Sequence, residues 1–150
     1  MEFNIRKMTE DDLDALYRLL SDPQVMKYLE PPFTKEKTEA FLHDAGLSDP
    51  PRVFAAECDG SLTGYVIYHA YDERSVETGW VLYPEYWGRG YASALTEILI
   101  KKAFAEDKDV VIECVPQQEA TRRIARKYGF TFQEMRDGLL LYRLTRRSDH

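Results

Sequence analysis

Three small residues at alternate positions, 88, 90 and 92, mark the segment Pro84-Glu85-Tyr86-Trp87-Gly88-Arg89-Gly90-Tyr91-Ala92, with a strand pattern before it and a helical pattern after it. Glycines at this spacing let the backbone approach a ligand closely, and a helix that starts there leaves its first N–H groups unpaired and pointing outward. Those donors, together with the positive end of the helix dipole, suit a phosphate or pyrophosphate. Arg89 and the hydroxyl of Ser93 add further donors. Taken alone, the same glycines equally serve a tight turn for steric reasons. Two phosphate-binding patterns are absent. No Gly-Lys-Ser/Thr follows, as a P-loop requires, and the GxGxxG spacing with an acidic residue about 20 positions on is not matched.

Other reactive side chains are few. Arg122, Arg123, Arg126 and Lys127 crowd one predicted helix and either reach phosphates and acidic groups or form a solvated face. Cys58 and Cys114 are the only cysteines and lack metal-ligand spacing, which argues against a disulfide scaffold or a zinc module. His43 and His69 have no visible sequence partners. Net charge is −6, which disfavours a general nucleic-acid binder. It is unevenly spread: residues 1–75 hold 8 basic and 15 acidic side chains, a net of −7, and residues 76–150 hold 12 and 11, a net of +1. That asymmetry fits either a cationic ligand on one part and an anionic one on the other, or solvated surface charge. No apolar run approaches the roughly 20 residues that span a bilayer, and the N-terminus lacks a signal-peptide core. The expectation is a soluble, cytoplasmic protein with residues 1–150 as one domain, since 150 residues suffice for a single core.

The elements that must position these groups follow from periodicity. Phe3–Lys7 reads as a strand, and Thr9-Glu10-Asp11-Asp12 as a capping box before the apolar face Leu13, Leu16, Tyr17, Leu20. Ser21-Asp22-Pro23 stops that helix. A second helix runs from Thr34 to a cap at Gly46, and between the two lies an irregular loop, Val25 to Phe33. Val53–Cys58, the Asp59-Gly60 turn and Leu62–Tyr71 form a hairpin, followed by a strand over Val76–Tyr83. A helix starts behind the glycine turn, and Val110–Val115 is a continuous run expected of a strand buried on both faces. A basic helix over Gln118–Tyr128 and two strands, Phe130–Met135 and Leu139–Thr145, complete the order β-α-α-β-β-β-α-β-α-β-β, and the tail Thr145–His150 reads as frayed. The class is mixed α/β. The last two strands either close the sheet or pair across a homodimer.

Glu77-Thr78-Gly79-Trp80-Val81-Leu82-Tyr83-Pro84 and Tyr86-Trp87-Gly88-Arg89-Gly90-Tyr91-Ala92 resemble the acetyl-CoA signature of the GNAT N-acetyltransferase superfamily, in particular its Rim-type, ribosomal-protein N-acetyltransferase-like branch. The family pattern Arg/Gln-x-x-Gly-x-Gly/Ala is met at Gly90 and Ala92, with Trp87 in the Arg/Gln position, as is common in the Rim-like branch. Val115-Pro116-Gln117-Gln118-Glu119-Ala120-Thr121 and Arg126-Lys127-Tyr128-Gly129-Phe130 stand where the family has Asn-x-x-Ser/Ala and Lys-Leu-Gly-Phe. The resemblance implies a mostly antiparallel sheet of about seven strands with four helices. It also implies that strands Val76–Tyr83 and Val110–Val115 splay apart and that acetyl-CoA lies in the V between them. The backbone of Val81, Leu82 and Tyr83 would pair with the pantetheine arm. Trp87, Gly88, Arg89, Gly90, Tyr91, Ala92 and Ser93 would hold the pyrophosphate, and Gln118 would contact the arm.

The reaction implied is direct attack of a primary amine on the thioester, without a covalent enzyme intermediate and without a metal, with backbone N–H groups stabilising the oxyanion. An ammonium must first lose a proton, and a carboxylate can take it. Glu77 is the expected base, on the strand that would border the cleft and in the position of the Rim-like Glu-x-Gly-Tyr/Trp glutamate. Many family members place a tyrosine, acid to the leaving thiolate, where this chain has Ala125; Thr121 offers a hydroxyl instead, and Tyr128 is expected to pack in the core. Tyr28, Glu30 and Phe33, in the loop that shapes acceptor binding in the family, are expected to line the amine site. The acceptor is a small amine, a protein N-terminus or a lysine; transfer to oxygen is left open. An acyl-CoA-binding or sensing module with little catalysis is the alternative, supported by Ala125 and Gln118.

Overall fold

Thr9 starts the first helical segment as its spacing predicts. Its Oγ1 accepts from the Asp11 N–H, and the Thr9 N–H donates to Asp12 Oδ2 at 2.8 Å. Glu10–Asp12 forms one tight turn that leads into α1 (Leu13–Leu20). The computed structural model describes residues 1–146, so the last four residues of the tail lie outside the described residues. α2 (Lys35–Phe41) ends in a wider π-type turn, Leu42–Gly46. The expected cap at Gly46 is corrected. Leu47 follows the turn, and Gly46 is needed because a Cβ there would lie 2.9 Å from Met8 Sδ.

The strands are β1 (Phe3–Arg6), β2 (Val53–Cys58), β3 (Ser61–Asp72), β4 (Ser75–Leu82), β5 (Asp109–Cys114), β6 (Thr131–Arg136) and β7 (Leu139–Leu144), with α3 (Tyr91–Ala105) and α4 (Glu119–Lys127) between them. They hydrogen-bond in the order β1-β2-β3-β4-β5-β7-β6, a mixed α/β arrangement with four α-helices among the described residues, in which β4 and β5 run parallel. By contacts the chain falls into two compact units, residues 1–68 with 80–92, and residues 69–79 with 93–150.

In the first unit the apolar stripe of α1 packs Leu16, Leu19 and Leu20 with Met8, Leu42, Val53 and Tyr65. Arg6 bridges Asp12 (2.9 Å) and Glu57 (3.0 Å), and holds both carboxyls below the usual carboxylate range through its side-chain hydrogen bonds. In the second unit Val110, Val111 and Ile112 are fully buried, as their unbroken apolar run requires. Leu95, Leu99 and Ala103 bury one face of α3. Arg146, expected to be frayed, is instead fastened: its N–H donates to Asp109 Oδ1 (2.8 Å) and its Nε to the Phe104 carbonyl (2.8 Å). Along β6 every residue is exposed, Phe132 and Met135 included.

Candidate active site

β4 delivers the chain to the glycine turn. Tyr83 anchors the strand's end: its N–H donates to the Thr63 carbonyl (3.0 Å), its hydroxyl to the Ala15 carbonyl, and the Arg18 guanidinium lies 4.0 Å from its ring centre. Pro84–Tyr86 makes one 3-10 turn. Gly88 and Gly90 then take left-handed backbone conformations, φ +70° and +82°, before α3 begins at Tyr91. A Cβ at either position meets no protein atom within 4 Å, so the glycines answer to backbone conformation rather than to packing.

Side chains stiffen the turn. The Trp87 indole N–H donates to the Leu82 carbonyl (2.9 Å) while its ring stays 46% exposed. Arg89 folds back to donate to the Glu85 carbonyl (3.1 Å), and lies 5.9 and 5.8 Å from the ring centres of Tyr86 and Tyr91. Tyr86 and Tyr91 stack at 5.3 Å, and Phe3 meets Tyr91 edge-on. Gly88, Arg89 and Gly90 are exposed; Tyr91, Ala92 and Ser93 are half-buried.

Much of the strand segment expected to pair with pantetheine is engaged within the protein. Tyr83 N–H is bound to Thr63, and a Cβ on Gly64 would fall 2.0 Å from the Val81 carbonyl oxygen, so the groups of Val81 and Tyr83 face β3. Strand alternation turns the Leu82 groups to the opposite edge, where Trp87 takes the carbonyl.

In the second unit, Glu77 lies on β4 opposite Val111, where the parallel ladder of three pairs ends, and the Thr78 hydroxyl donates to the Val111 carbonyl (3.3 Å). The side chains of Glu77 and His69 are 23% and 18% exposed, and their Oε1 and Nε2 are 3.7 Å apart. The sequence reading of His69 as partnerless is therefore corrected. So is that of His43, whose Nε2 is 3.9 Å from Glu10 Oε1. Glu73 and Arg74 join the two strands, but the spacing along them does not report that these two side chains meet.

Gln118 Oε1 accepts from the Val115 N–H (3.0 Å) and so braces the loop ahead of α4. Thr121 is half-buried in the first turn of α4, and Ala125 is fully buried. Tyr128 is more than a packing residue, because its hydroxyl donates to the Ser93 carbonyl (3.0 Å). Of the four cations on α4, Arg122 turns inward, donating to the Pro116 carbonyl (3.2 Å) and bonding Tyr142, which raises its pKa; Arg123, Arg126 and Lys127 are exposed. Burial pushes the Cys114 thiol up.

The loop residues separate. Tyr28 and Glu30 are exposed, whereas Phe33 is only 6% exposed, edge-on to Phe41 in the core, with its N–H on the Leu20 carbonyl. Phe33 thus packs the core rather than presenting an open wall. Glu30 is paired with Lys37 at 2.9 Å, and that ammonium also lies 4.6 Å from the Phe33 ring centre. Sequence reasoning missed Lys37, which reduces the pull of Glu30 on a cation.

Residues 2–131 match the family model described as an acetyltransferase (GNAT) domain. The chain belongs to the GNAT acetyltransferases. The GNAT chain is 31% identical over 133 residues to the uncharacterized N-acetyltransferase YnaD of Bacillus subtilis, covering 83% of this chain and 76% of that one. Its fold is similar to that of a GNAT-family acetyltransferase from Bacillus anthracis (TM-score 0.85, 25% identity, 97% and 96% of the two chains covered). It is also similar to spermidine N-acetyltransferase from Vibrio cholerae, solved with CoA and spermine (TM-score 0.78, 19% identity, 95% and 93% covered). As a GNAT domain it is an acyltransferase with the mixed seven-stranded sheet of that family. Among the described residues no cluster of His, Cys, Asp and Glu could hold a metal, and no helix is long and apolar enough to cross a membrane.

Proposed function

We propose that residues 1–150 act as one catalytic domain that moves an acetyl group from acetyl-CoA to a primary amine by direct attack on the thioester, and that the chain is of the Rim-type branch. The observation that carries the reading is the turn at Gly88 and Gly90. It sets exposed glycines just ahead of a 15-residue helix, whose positive dipole end favours the pyrophosphate. Ser93 and Arg89 add donors once Arg89 leaves the Glu85 carbonyl. Val81, Leu82 and Tyr83 form the strand segment beside which the pantetheine arm lies, and Leu82 is the residue whose backbone faces that edge. Trp87 fixes the turn's geometry by its bond to Leu82. Gln118 acts by holding its loop.

Glu77 takes a proton from the ammonium, and Thr121 offers a hydroxyl to the departing sulfur. A thiolate leaves readily near neutral pH, the free thiol pKa being about 8.5, so Ala125 in place of a phenol is tolerated. The Rim-type reading is supported by Glu77-Thr78-Gly79-Trp80 and by Trp87 in the Arg/Gln position. A cationic amine is favoured by the net charge of −7 over residues 1–75, and the spermine held by the Vibrio cholerae neighbour is of that class. Tyr28 and Glu30 line the amine's approach, with Phe33 shaping the loop from below.

Thiol release from acetyl-CoA, measured with spermine, lysine and a short peptide with a free N-terminus, tests the reading. Turnover with at least one amine, lost in Glu77→Gln while CoA affinity stays within twofold, is the expected result. Absence of CoA binding would overturn the assignment of the glycine turn.

A further inference from the structure

His69 stands on β3 and Glu77 on β4, on either side of the Glu73-Arg74 turn and within the same compact unit. His69 Nδ1 lies 3.0 Å from the Ala70 carbonyl oxygen, and its Nε2 lies 3.7 Å from Glu77 Oε1. A carbonyl oxygen only accepts, so the Nδ1 contact is a hydrogen bond only if Nδ1 bears a proton. In the neutral ring protonated on Nδ1, Nε2 carries the lone pair, 3.7 Å from Glu77 Oε1. In the imidazolium, Nε2–H faces a carboxylate that can accept it. A proton delivered to this pair therefore has two adjacent seats, and both side chains are partly exposed.

We propose that His69 is the proton acceptor behind Glu77, so that the pair, rather than the carboxylate alone, deprotonates the amine. This rests on the assignment of Glu77 as base made above. A 3.7 Å separation is longer than a direct hydrogen bond, so the transfer uses a small closing movement or one bridging water. One N–H bond of the ammonium breaks and the proton bonds to a Glu77 oxygen; it then bonds to His69 Nε2, and Glu77 returns to a carboxylate. The freed nitrogen lone pair forms the N–C bond in the next step, while the C–S electron pair leaves with the thiolate. His69 is thus a positioning and proton-holding residue that acts through Glu77.

The chemistry gives the pair a purpose. An imidazole is in general a stronger base than a carboxylate, so an ammonium gives up its proton more readily when an imidazole stands behind the carboxylate that takes it. Positioned proton-transfer groups contribute typically about 10²–10⁴-fold in rate.

The test compares His69→Gln, His69→Ala and Glu77→Gln with the wild type, using thiol release and spermine, lysine or a short peptide as the amine. CoA affinity and thermal melting serve as controls. Both His69 variants are expected to lose about 10²-fold in kcat with KM for acetyl-CoA within twofold. Added imidazole should restore at least tenfold in His69→Ala and not in His69→Gln, whose amide fills the space, a readout that a merely structural role would not move. Retention of kcat within threefold in His69→Gln overturns the pair, as does a loss in His69→Ala that imidazole leaves untouched. Full turnover in Glu77→Gln removes the base on which the pair rests. A wild type that releases thiol with none of the amines overturns the acetyl-transfer reading itself, and the pair with it.

Discussion

Gly64→Ala puts the close approach of β3 to β4 to a quantitative test. Gly64 sits at φ +148°, and a Cβ there would fall 2.0 Å from the Val81 carbonyl oxygen and 2.8 Å from the Leu82 Cα. Both neighbours are backbone, so no side chain can swing aside, and the strand itself must retreat by about 1 Å to reach the 3.0 Å below which real Cβ contacts are essentially never seen. Overpacking that displaces backbone costs about 3 kcal/mol. With a urea slope of about 2 kcal/mol/M for a chain of this size, the unfolding midpoint falls by roughly 1.5 M. Gly60→Ala separates clash from conformation. Gly60 also has a positive φ, +85°, but a Cβ there meets nothing within 4 Å. That variant loses about 1 kcal/mol for its left-handed backbone alone, a midpoint shift of roughly 0.5 M. Urea titrations followed by tryptophan fluorescence would read both. If Gly64→Ala falls no further than Gly60→Ala, the β3–β4 contact is not rigid and the steric reasoning fails. Because the strand that retreats carries Val81 and Leu82, KM for acetyl-CoA should also rise in Gly64→Ala and stay unchanged in Gly60→Ala.

Trp87→Phe keeps a ring but removes the N–H bond to the Leu82 carbonyl, about 1 kcal/mol; isothermal titration should show CoA binding weakened severalfold, and an unchanged affinity would remove Trp87 from the turn's support. Asp12 and Glu57 both titrate below the usual carboxylate range because of Arg6. Their stabilising effect is therefore present above the unfolded carboxylate pKa of about 4 and lost as pH falls through the lower folded values. Wild type should accordingly lose stability between pH 6 and pH 3, while Arg6→Met starts lower at pH 6 and loses less; a constant gap between the two urea curves across that range would refute the linkage. Tyr128→Phe should lower stability by about 1 kcal/mol through its bond to the Ser93 carbonyl and leave kcat untouched. A tenfold fall in kcat would instead place the phenol in the proton chemistry.

What the sequence disclosed was what local chemistry decides. The capping residues at Thr9 and Asp12, the apolar stripe of α1, the Asp59-Gly60 hairpin and the glycine turn are each set by residues within a few positions, and all four stand as the spacing predicts. Features set by distant partners were hidden. Gly46 looked like a helix cap, but Met8, far away in sequence, decides its identity. Phe33 looked like a loop aromatic until Leu20 and Phe41 enclosed it. Glu30 looked like an unpartnered anion until the next helix supplied Lys37. His69 and Glu77 meet because a two-residue turn folds their strands together, and no pattern along one strand reports which side chains then converge.

The indole bond from Trp87 to Leu82 bears on how such a chain avoids unwanted company. The edge of a strand turned away from its neighbour is a template for any passing polypeptide, which adds to it by alternating donors and acceptors. Here the Leu82 acceptor is already occupied by a side chain of the same turn. An incoming β-strand needs the full alternation and finds it interrupted, while a short arm with few amides needs only part of it. The same indole that stiffens the turn therefore also engages an acceptor that an added strand would use.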